Sequence, residues 1–193
     1  MTLHPVAKMC ALVAISAALA IVGLSEAHGS ESACESPTHC VLMRMRQHVT
    51  DAHETGEQTA ARLLPVAHGI DAATDDIPER AALIALGRHE SHFAGYVLDG
   101  RCSDGPRGKH ECDEGRAVGP WQIWRLPQRE VPQDATGQAR MALGLLRGFK
   151  RSCGSLEGAF SMYARGGLCT WAGASARVQT ARTVEAMLWR TAK

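Results

Sequence analysis

Asp75-Asp76-Ile77-Pro78-Glu79-Arg80-Ala81-Ala82-Leu83-Ile84-Ala85-Leu86-Gly87-Arg88-His89-Glu90-Ser91-His92-Phe93 is the stretch from which the fold is read. Acids ahead of a proline in the first turn predict a helix start at Pro78, and the apolar run carries the helix to about His92. Leu83, Leu86, Glu90 and Phe93 follow 3-4-3 spacing, which places them on one helical face. Glu90 is the anomaly on that stripe, because burying an ionised carboxylate is costly. A carboxyl group removed from water tends to keep its proton, as a general acid must. The competing reading is a buried Glu tied to an arginine such as Arg88 or Arg165.

Upstream, Val41, Met45, Val49 and Ala52 stand at helical spacing, so a helix is expected from Cys40 to about Leu64, ending before Pro65. Its many polar residues and lack of aromatics suggest an element that covers the core without joining it. Downstream, residues 99–120 hold seven glycines or prolines and read as a long loop. Helices are expected again from Gln138 to Arg151, Leu156 to about Arg165, and Ala176 to about Trp189. There is no internal repeat and no β-ladder pattern, so the expected class is mostly α.

The chain has 193 residues, with 45% hydrophobic and 21% charged, which suits one globular domain with an arm. A net charge of +1 gives no global case for nucleic-acid binding, and no basic–aromatic motif adds one. Residues 136–193 nevertheless carry nine Lys/Arg against two acids, either as solvated helix faces or as a face toward an anionic polymer. None of the nine aromatic residues precedes Phe93.

Residues 1–27 read as an export signal: Lys8, then the uncharged run Met9–Leu24, then Ser25-Glu26-Ala27. An uncleaved anchor is the alternative, though the run falls short of the about 20 residues that a span requires. Cleavage predicts an exported protein, periplasmic or secreted, with no stable membrane insertion. Of seven cysteines, Cys10 leaves with the signal; Cys34, Cys40, Cys102, Cys112, Cys153 and Cys169 remain. An even set in an exported chain predicts disulfides, with sequence-local pairing the simplest of the possible connectivities. Zinc is the competing use, but no CxxC pair occurs.

Two further segments carry chemistry. Gly119-Pro120-Trp121-Gln122-Ile123-Trp124 sets a turn against an amide between two indoles, whose faces suit sugar rings and serve core packing equally well. Ser161-Met162-Tyr163-Ala164-Arg165-Gly166-Gly167 puts a tyrosine near a helix end.

Taken in order, Glu-Ser-x-Phe (90–93), Gly-x-x-Gln-Ile (119–123) and Tyr-x-x-Gly (163–166) resemble the soluble-type lytic transglycosylases of the lysozyme-like superfamily. The resemblance spans roughly 78–190. It implies a mostly α, goose-lysozyme-like domain over 78–193, with a cysteine-bracketed loop in the cleft region. It leaves residues 28–77 unaccounted for, where the residues themselves predict a leader and a covering helix. It also implies cleavage of the β-1,4 bond between N-acetylmuramic acid and N-acetylglucosamine in peptidoglycan strands, with no cofactor. Glu90 matches the family's acid/base, which protonates the leaving oxygen and then deprotonates the muramyl 6-hydroxyl to give a 1,6-anhydro product. Ser91, Gln122 and Tyr163 match positions that line the cleft and orient the Glu or the substrate, while Phe93 supports the helix end.

The chain departs from the family in having Ala164 where an amide is usual, followed by Arg165, and Trp121 where Met is common. Arg165 would suit an anionic stem peptide or lactyl group. If Asp99, Asp104, Asp113 or Glu114 approached Glu90 and activated water, the enzyme would be a hydrolytic muramidase instead. An exported peptidoglycan-binding module with a degenerate cleft is the non-enzymatic alternative. His89, Glu90 and His92 lack the His-Glu-x-x-His spacing of a zinc hydrolase, so no metal ligand set is assigned.

Overall fold

The computed structural model of the chain describes residues 34–45, 54–105 and 112–192, all within one unit spanning Glu31–Lys193. The segment expected to be an export signal lies outside the described residues, as do Val49 and Ala52. Among the described residues no helix is long and apolar enough to cross a membrane.

The architecture is mostly α. Helix α1 (Pro37–Met45) and helix α2 (Gly56–Ala73) are followed by α3 (Ile77–Ser91) and the short α4 (Gly95–Leu98). A four-residue turn, α5 (Cys112–Gly115), leads to β1 (Ala117–Val118) and β2 (Ile123–Trp124), an antiparallel pair. Helices α6 (Ala135–Cys153), α7 (Leu156–Arg165) and α8 (Ala174–Thr191) complete the chain.

Helix α3 is the central element. The Asp76 carboxylate accepts from the Glu79 N–H (2.8 Å), with proline in the first turn, as the sequence signals require. Residues Ala81 to Leu86 are all buried, as is Gly87. The expected apolar stripe is therefore too narrow a reading: the middle of α3 is enclosed on every side, packing chiefly on α8 and also on α2 and α6. Gly87 is required there, because a Cβ would meet the Phe93 ring at 2.5 Å. Phe93 folds back on the helix it terminates, which fits the support role expected of it.

Upstream of α3 the structure corrects the sequence reading in two ways. The expected helix over 40–64 is two helices, and α2 runs through Pro65 instead of stopping before it. Proline removes one backbone bond and is normally expensive within a helix. That cost is offset by a capping box at Thr55 and Gln58 and by burial of Leu63, Val66, Ala67 and Ile70. The stretch is also no mere cover, since α1 adds Val41 and Leu42 to the same core as α3. Arg62 of α2, ion-paired with Glu54, donates to the Phe93 carbonyl and fixes α2 against the end of α3.

Disulfides join Cys102 to Cys112 and Cys153 to Cys169. The pairing of Cys34 with Cys40 is not made; Cys40 lies within α1, its N–H on the Ser36 carbonyl (2.9 Å), and Cys34 precedes the helix.

Candidate active site

Four segments distant in sequence meet at one open cleft of about 800 Å³, to which α6 contributes the apolar side chains of Leu145 and Phe149. Helix α3 brings His89 and Glu90; the 112–129 segment brings Asp113, Gln122, Trp124 and Arg129; α7 and the residue after it bring Tyr163, Ala164, Arg165 and Gly166. Glu90, Gln122, Tyr163 and Arg165, all expected at the site, therefore line the same cavity.

The turn that carries Gln122 is fixed from two sides. The Ser91 hydroxyl shares its proton between the carbonyls of Gly87 (3.0 Å) and Pro120 (2.7 Å), and accepts from the Phe93 N–H (3.0 Å). The Tyr163 hydroxyl donates to the Trp121 carbonyl (2.8 Å). Gly119 sits at φ 67° against Gln138, whose Oε1 would lie 1.9 Å from any Cβ there. Only glycine fits both the conformation and the space. Gln122, itself at φ 46°, donates its side-chain amide to the Gly119 carbonyl (3.0 Å).

Two expected substrate contacts take other roles. Ser91 is 5% exposed and bonded to backbone, so it clamps the turn onto α3 and offers no surface to a ligand. Trp121 is completely buried, with its indole N–H on the Leu83 carbonyl (2.9 Å), and belongs to the core. Trp124 is the indole that faces the cleft. It is 45% exposed, its N–H donates to Asp113 Oδ2 (2.7 Å), and the Arg116 guanidinium lies 5.1 Å from its ring centroid. The alternation follows from β2: Ile123 points into the core, and its neighbour points out.

Glu90 is ion-paired, but with neither arginine expected from the sequence. Arg177 of α8 donates from Nη2 to Glu90 Oε1 at 2.6 Å. Arg88 instead reaches the Met45 carbonyl, and Arg165 stacks on Trp171 with its guanidinium 5.1 Å from the ring centroid. A signal for Arg177 did exist. It shares the buried face of α8 with Ala174, Ala181, Val184 and Leu188, at the same 3-4 spacing that singled out Glu90.

The electrostatics are uneven along the cleft. Burial pushes the Tyr163 phenol well above its ordinary range, and the nearby Glu90 charge adds to that. Tyr163 is therefore a neutral hydrogen-bond donor at physiological pH. His89 is held below its ordinary value first by burial and then by the nearby Arg177, Arg88 and His92, while its Nε2 lies 3.0 Å from the Thr180 hydroxyl. Of the acids named as second-carboxylate candidates, Asp113 lines the cleft, whereas Asp99 and Asp104 are paired with Arg101. Among the described residues no group of three His, Cys, Asp or Glu side chains is placed to hold a metal ion.

No protein-family model, curated protein or solved structure matches this chain.

Proposed function

We propose that the chain is an exported peptidoglycan-cleaving enzyme of lytic transglycosylase type, acting on the β-1,4 bond between N-acetylmuramic acid and N-acetylglucosamine. The observation that carries the reading is the convergence of Glu90, Gln122 and Tyr163 from three separate segments on one open cavity. A cleft of that size admits several sugar rings, and Trp124 offers an exposed indole edge-fixed by Asp113 on which a ring can stack. A goose-lysozyme-like arrangement of the helices is part of the same proposal, as is export, which the disulfides favour.

In this mechanism Glu90 enters the step protonated on Oε2, with Oε1 accepting from Arg177, and gives that proton to the departing glycosidic oxygen as the C1–O bond breaks. The resulting carboxylate then takes the proton of the muramyl 6-hydroxyl, whose oxygen bonds to C1. Proton and electron count close within the substrate, with no water consumed. With their protons given to the Trp121 and Gly119 carbonyls, the Tyr163 hydroxyl and the Gln122 amide present neutral oxygens that can accept from sugar hydroxyl or N-acetyl groups. Arg129 and Arg165 on the cleft wall suit the carboxylates of lactyl and peptide groups.

Hydrolysis is the second reading, favoured by one observation: Asp113 lines the cleft with Glu90 and could activate water. Mass analysis of digested peptidoglycan separates the two, since transglycosylation leaves 1,6-anhydro ends and hydrolysis leaves reducing ends. The Glu90–Arg177 pair, read as structure alone, fits the binding-module alternative; turnover unaffected by Glu90→Gln would favour it.

A further inference from the structure

Arg177 is only 7% exposed and takes part in the cleft through Glu90. Arginine–carboxylate pairs frequently form two parallel bonds, which is the arrangement of greatest stability. Here a single nitrogen, Nη2, reaches a single oxygen, Oε1, at 2.6 Å. Arg177 Nε is buried with no hydrogen-bond partner, which costs free energy that a second bond to Glu90 would recover. Among the described residues Oε2 of Glu90 accepts no hydrogen bond, and Glu90 lines the cavity. The pair thus holds the carboxyl by one oxygen and spares the other.

Arg177 is itself held by an aromatic ring. Its guanidinium lies 4.9 Å from the centroid of Trp171, which also carries Arg165 at 5.1 Å. Trp171 sits in the 166–173 loop between α7 and α8, and that loop is fastened to the end of α6 by the Cys153–Cys169 disulfide. The ring covers Gly173, where a Cβ would meet it at 2.3 Å.

We propose that Arg177 is a positioning residue: it orients the Glu90 carboxyl so that Oε2 faces the glycosidic oxygen, and Trp171 keeps Arg177 in that pose. The role rests on Glu90 being the acid. Arg177 touches Glu90 and not the substrate, so its loss acts on the chemical step and leaves substrate affinity alone, whereas loss of Trp171 also frees Arg165 and raises KM as well.

The test compares kcat and KM on soluble peptidoglycan strands for wild type, Glu90→Gln, Arg177→Met, Arg177→Lys and Trp171→Ala, with thermal unfolding of each. Arg177→Met lowers kcat about 10- to 100-fold while KM stays within about twofold. Arg177→Lys recovers part of that loss, since it restores one charged donor. Trp171→Ala falls in the same direction by a smaller factor. If Arg177→Met does not fold, the other two variants decide: wild-type kcat in both overturns the role. A rise in KM with kcat unchanged, or Lys no better than Met, also overturns it and leaves Arg177 merely structural. Inactive Glu90→Gln beside fully active Arg177 variants rejects the positioning role alone. Wild type without turnover, or Glu90→Gln as active as wild type, rejects the acid and the positioning role together.

Discussion

Arg177 Nη2 and Glu90 Oε1 lie 2.6 Å apart, joining α8 to α3 with side chains only 9% and 18% exposed. Because Glu90 lines the open cleft, water reaches its carboxyl when Arg177 is removed, and the loss is that of a hydrogen bond between charged groups, about 1.5–3 kcal/mol. Arg177→Met is therefore expected to lower unfolding free energy by that order, whereas the Arg177→Met, Glu90→Gln double variant recovers part of it. Urea denaturation of Arg177→Met, Glu90→Gln and the double variant measures the coupling; additive losses would show that the two charges do not depend on each other.

Tyr163→Phe removes the donor to the Trp121 carbonyl and nothing else in size. A loss of about 1–3 kcal/mol is expected, toward the higher end if the carbonyl finds no water. Because that bond fixes the turn carrying Gln122, turnover should fall with it. A variant equally stable and active would mean that the turn is held without Tyr163.

The two indoles separate burial from recognition. Trp121→Ala empties a fully enclosed site and should cost about 3–5 kcal/mol. Trp124→Ala changes a half-exposed ring, so stability should move little while binding of glycan strands weakens. Co-sedimentation with peptidoglycan and thermal unfolding, run side by side, check both; unchanged binding by Trp124→Ala would remove this ring from the ligand surface.

His89 gives a pH dependence with a definite sign. Its folded-state pKa lies below the ordinary 6.5, chiefly through burial. Below pH 6.5 the unfolded chain gains a proton that the folded imidazole resists, so this contribution is present above 6.5 and lost as pH falls. The stability of wild type minus that of His89→Gln should be larger at pH 7.5 than at pH 5. A difference independent of pH would contradict the cause assigned.

Much of the scaffold was legible in local signals. Asp76 and Pro78 marked the start of α3, and α7 begins and ends where the sequence placed it, because caps and glycines act on their immediate neighbours. Pro65 misled because burial of α2 outweighs the lost backbone bond, a tertiary effect that no local rule contains. Glu90 was visible as a charge on an apolar face. Its partner was 87 residues away, and only packing of α3 on α8 identifies it. Trp121 and Trp124 could not be told apart by composition, since Trp121 is buried by a turn held against α3 and α7, and Trp124 is exposed by the facing of β2.

The central claim is that Glu90 is the acid and base of a reaction that consumes no water. Its most direct test is mass analysis of the soluble fragments released from purified peptidoglycan by wild type and by Glu90→Gln. Wild type should release fragments ending in 1,6-anhydromuramic acid, each lighter by one water than its hydrolysed counterpart, and Glu90→Gln should release none while still sedimenting with the polymer. Identical fragments from both proteins, or reducing ends alone from wild type, would contradict it.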